Sequence, residues 1–337
     1  MSIKILATIG PSSFNKDTIE KLSSKGVNLF RINLSHTKLE DVANTIDNIH
    51  SWTDVPICLD SEGAQVRNQG MVSESVEFKE GSTIKIHHRC VIGDSSNISL
   101  TPNTVSKQLK AGDKVRIDFN ALVLKVIEDK GDYLLANVEM SGSVGSNKAA
   151  DVDRDIDLAA VTHKDREAFK IGLEKGVNNF SLSFTNTADN VKEIRDIIGD
   201  ESNLISKIES VKGVLNLKEI LPLVDQILID RGDLSREIAI DKIPFIQRLI
   251  ISYAKSKDVP VYVATNLLES MIQTSSPTRA EVNDVASTLL MGANGLVLAA
   301  ETAIGKHPIE AVEMINLLIK QYDRWTPDLT FEDVINN

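Results

Sequence analysis

The chain has 337 residues, more than a single hydrophobic core usually serves, so a barrel or two domains are expected. With 42% hydrophobic, 25% charged and only 4% aromatic residues, the composition argues for a soluble globular protein. The formal net charge of −11 argues against nucleic acid or an anionic membrane surface as a partner.

Short apolar runs recur along the chain, and most are followed by a stretch with helical spacing. In chain order they begin at Lys4 (KILATIG), Asn28 (NLFRINLS), Pro56 (PICLDSEG), Asn178 (NNFSLSF), Asn203 (NLISKIES), Gln226 (QILIDRGDL), Pro260 (PVYVATNLL) and Gly295 (GLVLAAETA). The helical spacing is found at residues 17–25, 38–49, 164–174 and 244–257. Eight buried strands alternating with helices predict an α/β fold, a parallel (β/α)8 barrel. A doubly wound open sheet is the alternative, although ATIGPSS is not the Gly-rich loop common there.

The repeat is interrupted between Arg67 and about Asp155. This interval contains short β-branched runs separated by turn residues, namely STIKIHH, NISLT, KVRID, ALVLKVIED and YLLANVE. They predict a small all-β, barrel-like insertion at residues 68–155 within a barrel domain of residues 1–67 and 156–337. Because it follows barrel strand 3, it would lie at the face where barrel enzymes keep their active sites, and we expect a lid. An insertion with no role in the site is the alternative.

The N-terminal segment, the length of the apolar runs and the cysteines indicate the cellular compartment. The N-terminal MSIKILATIGPSS lacks the charged region and long apolar region of a signal peptide. No apolar run approaches the roughly 18 residues that a membrane-spanning helix needs. Cys58 and Cys90 do not form a CxxC pair, which fits a reducing environment. The sequence therefore predicts a cytoplasmic protein.

Polar residues cluster where the predicted barrel strands end. They are Arg31, Asn33 and Ser35 after strand 2, Asp60, Ser61 and Arg67 after strand 3, Lys207 and Glu209 on strand 5, Arg231 and Asp233 on strand 6, and Thr265 and Glu301 on strands 7 and 8. Each alone would be an ordinary solvated loop residue. Because the carboxyl ends of parallel barrel strands meet at one face, their shared position predicts a common site.

A divalent metal site is predicted within this group. Lys207 and Glu209 are separated by one residue on a strand, so both side chains point to the same side. Asp233, one strand over, can face Glu209. If Lys207 and Glu209 only formed an ion pair, Asp233 would be left over, whereas a metal accounts for the surplus negative charge. Two carboxylates with open positions suit Mg²⁺.

The segments that contain these residues resemble the pyruvate kinase family along nearly the whole chain. In order they are ATIGPSS, FRINLSH, LDSEGAQVR, ISKIES, IDRGDL, VATNLLESM, PTRAEVNDVA and AAETAIGKHPIEAV. The resemblance implies transfer of a phosphoryl group from phosphoenolpyruvate to ADP, giving pyruvate and ATP through an enolate stabilised by Mg²⁺ or Mn²⁺. It also implies that the insertion closes over the active site.

The resemblance further implies a role for each residue. Lys207 resembles the lysine that stabilises the phosphoryl group and the enolate, and Arg31 the arginine that reaches the phosphoryl oxygens. Thr265 resembles the threonine near the carbon that receives a proton. The other implied contacts are with Mg²⁺ (Glu209, Asp233), with K⁺ (Asn33, Ser35, Asp60, Ser61), with substrate (Arg231, Gly232, Asp233, Thr265, Ser183, Glu301) and with the nucleotide (His36, Arg67, Lys148).

The chain departs from the family pattern mainly in the nucleotide half of the site. Glu62 stands where lysine is usual, and Gln65 removes a charge tied to monovalent-cation use, which leaves K⁺ dependence open. In the insertion, Phe119 replaces an acid and Asn147 replaces a lysine. Asp230 stands where a small residue is usual, beside backbone amides that would hold the substrate carboxylate. An added carboxylate repels that anion unless it points into the barrel wall or binds a cation.

Family members usually continue into a C-terminal α/β domain, whereas this chain ends at Asn337. We therefore expect no effector control through such a domain, and we expect either a monomer or a homodimer formed through the barrel.

Three functions remain open. The favoured one is pyruvate kinase activity with ADP. The second is an enzyme that keeps the phosphoenolpyruvate site but uses a different phosphoryl acceptor. The third is a catalytically weak regulatory protein that binds phosphoenolpyruvate.

Overall fold

The computed structural model describes residues 2–118 and 120–336. Its strands are β1 (Lys4–Ile9), β2 (Leu29–Asn33), β3 (Ile57–Asp60), β4 (Val66–Asn68), β5 (Val76–Phe78), β6 (Thr83–His87), β7 (Asn97–Thr101), β8 (Lys114–Ile117), β9 (Leu122–Asp129), β10 (Tyr133–Met140), β11 (Gly142–Val144), β12 (Ala149–Val152), β13 (Asn179–Leu182), β14 (Asn203–Ile208), β15 (Gln226–Asp230), β16 (Val261–Ala264) and β17 (Gly295–Leu298). Its α-helices are α1 (Lys16–Ser24), α2 (Leu39–Trp52), α3 (Thr104–Gln108), α4 (His163–Glu174), α5 (Ala188–Ile198), α6 (Val211–Leu215), α7 (Leu217–Ile220), α8 (Arg231–Leu234), α9 (Ile243–Lys255), α10 (Arg279–Met291), α11 (Ala300–Ala303), α12 (Pro308–Arg324) and α13 (Phe331–Asn336).

Within the described residues, eight parallel strands close into a barrel in the order β1, β2, β3, β13, β14, β15, β16, β17 and back to β1. The predicted (β/α)8 barrel is confirmed, and each of the eight apolar runs forms a strand. Large apolar side chains pack between the strands and the surrounding helices, as Phe169 of α4 does against Phe180 of β13 with ring centroids 5.3 Å apart. No helix in the described part of the chain combines the length and apolar character needed to cross a bilayer.

Strand periodicity explains why polar side chains gather at one end of the barrel. A separate buried cluster has one residue from each of six barrel strands and two from β16, while β13 contributes none: Leu6, Leu29, Cys58, Ile205, Leu228, Tyr262, Ala264 and Val297. Because alternate residues of a strand share a face, the residue two positions after each of these points to the same side. On five strands that next residue is polar, namely Thr8, Arg31, Asp60, Lys207 and Asp230. The alternation of apolar and polar residues therefore builds the site on top of the apolar cluster.

Capping boxes stabilise the N-termini of two barrel helices, α4 and α10. Thr162 begins α4 with a capping box that is completed by Asp165, and Thr278 begins α10 with one completed by Glu281. In each box the hydroxyl accepts from a backbone N–H while the carboxylate accepts from the cap residue's N–H. Asp165 also accepts from the N–H groups of Glu62 and Gly63, so α4 holds the end of β3 in place.

The chain divides into two compact units, Ala64–Ala159 and the barrel that comprises the rest. In the smaller unit, seven of the described strands close in the order β10, β6, β7, β4, β12, β8, β9, and β5 pairs with β11. Among its described strands, all pairings are antiparallel except that of β6 with β7. It has a core of its own, which includes Phe78, Ile86 and Val115. Phe119, which was noted in the sequence, lies outside the described residues.

Candidate functional site

Asp60, at the end of β3, is the centre of a buried charge network. Its Oδ2 accepts a hydrogen bond from Nε of Arg31 at 2.8 Å and lies 2.7 Å from NH2 of the same guanidinium. Its Oδ1 accepts from the Ser181 hydroxyl at 2.5 Å. NH1 of Arg31 donates to the Thr8 hydroxyl at 3.1 Å. Burial would raise the pKa of Asp60, but the charges of Arg31 and Lys207 outweigh it and hold this pKa below its ordinary value.

Lys207 connects this network to the end of β14. Its Nζ lies 2.8 Å from Oε1 of Glu209 and 3.4 Å from Oδ2 of Asp60, and it donates to the Ser183 hydroxyl at 3.0 Å. The residue is only 4% exposed. Burial alone would lower the pKa of Lys207, but the two carboxylates outweigh it and raise the pKa above its ordinary value. Two carboxylates and one hydroxyl therefore hold the Lys207 ammonium in place.

The loop after β13 holds the other side of Lys207. The Ser183 hydroxyl donates to the carbonyl of Ser61 at 2.7 Å, and the Ser183 N–H donates to the Ser61 hydroxyl at 2.8 Å. The next residue, Phe184, has a φ of 51°, a left-handed conformation that side-chain-bearing residues rarely adopt. This conformation allows its N–H to donate to Oε2 of Glu209 at 2.7 Å. The left-handed backbone of Phe184 therefore orients the Glu209 carboxylate.

Three carboxylates lie together beside Lys207. Glu209, Asp230 and Asp233 each offer an oxygen, and these oxygens lie within 4.8 Å of one another. Oε1 of Glu209 is buried, and its one partner among the described residues is the Lys207 ammonium at 2.8 Å. Burial raises the pKa of Glu209 to about 8; Lys207 opposes this shift, and the neighbouring carboxylates add to it. A buried carboxylate oxygen with an unused acceptor position, facing further carboxylates, fits the oxygen ligands that Mg²⁺ or Mn²⁺ requires.

The charges of this cluster are distributed differently from the sequence expectation. Asp233, expected to be left over, is paired with Arg236 at 3.1 Å. The carboxylate that lacks an ion pair within the described chain is Asp230. Its Oδ1 accepts from the N–H of Gly232 at 3.1 Å and from the Thr265 hydroxyl at 2.5 Å. Asp230 therefore faces the cluster and does not point away into the barrel wall.

Thr265, after β16, is held in a strained conformation. Its φ is 74°, which is unusual for a β-branched residue. Its carbonyl accepts from Nε of Arg231 at 3.1 Å and from NH2 at 2.6 Å, while NH1 of Arg231 donates to Asp284 of α10 at 2.6 Å. These contacts stabilise the strained turn. The guanidinium of Arg231 is thus engaged by protein groups, and its contact with substrate stays a prediction.

The remaining predicted substrate and K⁺ contacts also have protein partners. Glu301 accepts from the N–H groups of Leu268 and Ala299, at 3.2 and 2.9 Å. The side chain of Asn33 accepts from the N–H of Ser35 at 2.9 Å. Ser61 uses its carbonyl and hydroxyl for Ser183, as described above. The structure gives these oxygens local roles in shaping the loops, and K⁺ binding by them stays a prediction.

The predicted nucleotide contacts are distributed over the two units. In the smaller unit, Nε of Arg67 donates to Gln65 at 2.9 Å and NH1 donates to the carbonyl of Asn147 at 2.9 Å. Lys148 forms an ion pair with Asp118 at 3.2 Å. In the barrel, the N–H of His36 donates to the carbonyl of Asn33 in the turn after β2. Nucleotide binding by these residues stays a prediction.

Two members of the network were not predicted from the sequence. Thr8 is buried at the end of β1, and Ser181 is buried in β13, paired in register with Asp60. In both cases the two-residue spacing of the strand sequence could have identified the residue. Thr8 follows the apolar Leu6 by two positions, and Ser181 precedes the predicted Ser183 by two, so both lie on the face that carries the site.

Comparison with known proteins adds to this geometry. The family profile described as "Pyruvate kinase, barrel domain" matches residues 1–312. The pyruvate kinase of Thermotoga maritima is 35% identical over 96% of this chain and 71% of its own length. That of Thermococcus litoralis is 33% identical over 97% of this chain and 71% of its own length. That of Geobacillus stearothermophilus is 33% identical over 93% of this chain, which spans only 55% of that relative's length.

Proposed function

The chain belongs to the pyruvate kinase family, and on that premise we propose that it transfers the phosphoryl group of phosphoenolpyruvate to ADP. In this reaction the bond between phosphorus and the enol oxygen breaks, and an oxygen of ADP forms the new bond to phosphorus. The released enolate takes up a proton at carbon and becomes pyruvate. The observation that carries the proposal is the buried network in which Arg31 and Lys207 lie beside a cluster of three carboxylates.

The two cations are suited to an anionic phosphoryl group. Lys207 is held by three partners in a buried position, so its charge is available without reorganisation when negative charge develops on the substrate. A guanidinium has five N–H donors, and the contacts of Arg31 with Asp60 and Thr8 leave some of them for phosphoryl oxygens. Phosphoryl transfer depends mainly on such positioning and charge neutralisation.

The carboxylates beside these two cations would bind the divalent metal. Glu209 and Asp233 would hold Mg²⁺ or Mn²⁺, with the buried Oε1 of Glu209 as one ligand. When bound, the metal would neutralise charge on the phosphoryl and enolate oxygens. Thr265 is proposed to lie near the carbon that is protonated, with its hydroxyl oriented by Asp230. Arg67, Lys148 and His36 are kept as proposed nucleotide contacts.

A coupled assay for pyruvate, with and without ADP, tests the proposal. With phosphoenolpyruvate and Mg²⁺ we expect pyruvate to form only when ADP is present, at a turnover of roughly 1–100 s⁻¹ as is typical of kinases. Consumption of phosphoenolpyruvate with another acceptor but not with ADP would favour the second hypothesis of the sequence analysis. A thermal shift with phosphoenolpyruvate and Mg²⁺, without turnover on any acceptor, would favour a binding protein.

A further inference from the structure

In the proposed reaction Asp230 only orients the Thr265 hydroxyl, a contact that does not need a negative charge. We propose that Asp230 is a third carboxylate of the divalent-metal site and raises the affinity of the protein for the metal before any substrate binds. The inference rests on the metal site of the proposed function. Its starting point is the arrangement of Glu209, Asp230 and Asp233, whose carboxylate oxygens lie within 4.8 Å of one another.

The network has four carboxylates but three cations, and Asp230 is the carboxylate without an ion pair among the described residues. The other three carboxylates each have a cationic partner: Asp60 has Arg31, Glu209 has Lys207, and Asp233 has Arg236. Asp230 forms no ion pair among the described residues and is only 9% exposed, and the charges of Arg31 and Lys207 reach it only at longer range. A buried carboxylate without an ion pair is costly, and a neighbouring like charge adds to that cost. A divalent cation at the cluster removes both costs at once.

A second observation indicates that a ligand belongs at this cluster. Oε1 of Glu209 is buried, and its one partner among the described residues is the Lys207 ammonium, 2.8 Å away. A carboxylate oxygen has two lone pairs, so this ion pair leaves an acceptor position of Oε1 unused. A buried oxygen with an unused acceptor position, facing two more carboxylates, points to a bound cation.

The orientation of Asp230 is fixed by neutral donors. Oδ1 accepts from the Gly232 N–H and from the Thr265 hydroxyl, and no described residue donates to Oδ2. A Cβ on residue 232 would lie 2.8 Å from Cγ2 of Thr265, so glycine permits this close approach. Metal-ligating carboxylates are commonly held by hydrogen bonds of this kind. The two donors fix one oxygen and leave the other for a ligand.

The test is a titration of Mn²⁺ in the absence of substrate and nucleotide, with free Mn²⁺ measured by electron paramagnetic resonance. In Asp230→Asn the side-chain oxygen can still accept from Gly232 and Thr265, while the negative charge is lost. We expect the Kd for Mn²⁺ to rise about tenfold. Asp258→Asn is the matched control, because it removes one acidic charge from an exposed position of the same barrel. Its Kd should equal that of the wild type.

Glu209→Gln separates failure of the inference from failure of the proposed function. If Asp230→Asn binds Mn²⁺ like the wild type while Glu209→Gln loses binding, Asp230 only caps the turn and the inference is wrong. If Glu209→Gln also binds like the wild type, the metal site itself is wrong. Thermal unfolding without metal is an independent readout. Relief of repulsion should leave metal-free Asp230→Asn at least as stable as the wild type, and a reduced Tm would contradict the inference.

Discussion

Replacing Lys207 with methionine is expected to lower the kcat for pyruvate formation by about a thousandfold. Lys207 is 4% exposed and its ammonium is held by Asp60, Ser183 and Glu209, so it is positioned before substrate arrives. Methionine has a similar length but cannot neutralise charge on a phosphoryl group or an enolate. The measurement is the rate of ADP-dependent pyruvate formation at saturating phosphoenolpyruvate and Mg²⁺.

Metal binding distinguishes a loss of chemistry from a loss of structure in this variant. Methionine removes a positive charge 2.8 Å from Glu209 but removes no carboxylate, so Mn²⁺ should bind at least as tightly as in the wild type. Lys192→Met, on an exposed face of α5, is the matched control and should keep full activity. Turnover of Lys207→Met within about tenfold of the wild type would show that another residue stabilises the transferred group.

The barrel and the gathering of polar side chains at one end of it could be predicted because both follow from strand periodicity. On seven barrel strands an apolar residue belongs to the buried cluster, and on five of them the residue two positions later is polar and lies near the carboxyl end. This rule identifies Arg31, Asp60 and Lys207, and it also identifies Thr8 once it is applied to β1. Position on a strand decides which side a residue faces, and that information is present in the sequence.

Partners within the turns could not be predicted in the same way. The guanidinium of Arg231 binds the carbonyl of Thr265 and the carboxylate of Asp284, two contacts that the sequence did not predict, while its contact with substrate stays a prediction. This arrangement depends on the left-handed conformation of Thr265, which no local pattern indicates. The pairing of Asp233 with Arg236 likewise depends on the single turn of α8. Where the backbone leaves the strand, the direction of a side chain is set by tertiary contacts.

The charge at the end of β3 matters for stability as well as for the site. Asp60→Asn is expected to destabilise the protein by about 3 kcal/mol, because it leaves the buried Arg31 and Lys207 without their shared carboxylate. The amide nitrogen of asparagine would also face donors of Arg31 or Ser181. Breaking a buried ion pair on one side costs more than the pair itself contributes. Thermal unfolding followed by circular dichroism should show a Tm lowered by roughly 5 °C.

Ser181→Ala is the matched control for this prediction, since it removes only the hydrogen bond to Oδ1 and should cost about 1 kcal/mol. Equal losses of unfolding free energy in the two variants would mean that the charge of Asp60 contributes nothing to stability.

The pH dependence of the Tm gives a further check. Because the pKa of Asp60 lies below its ordinary value, its contribution is complete above about pH 5 and is lost as the pH falls. The difference in Tm between wild type and Asp60→Asn should therefore be constant above that pH and shrink below it.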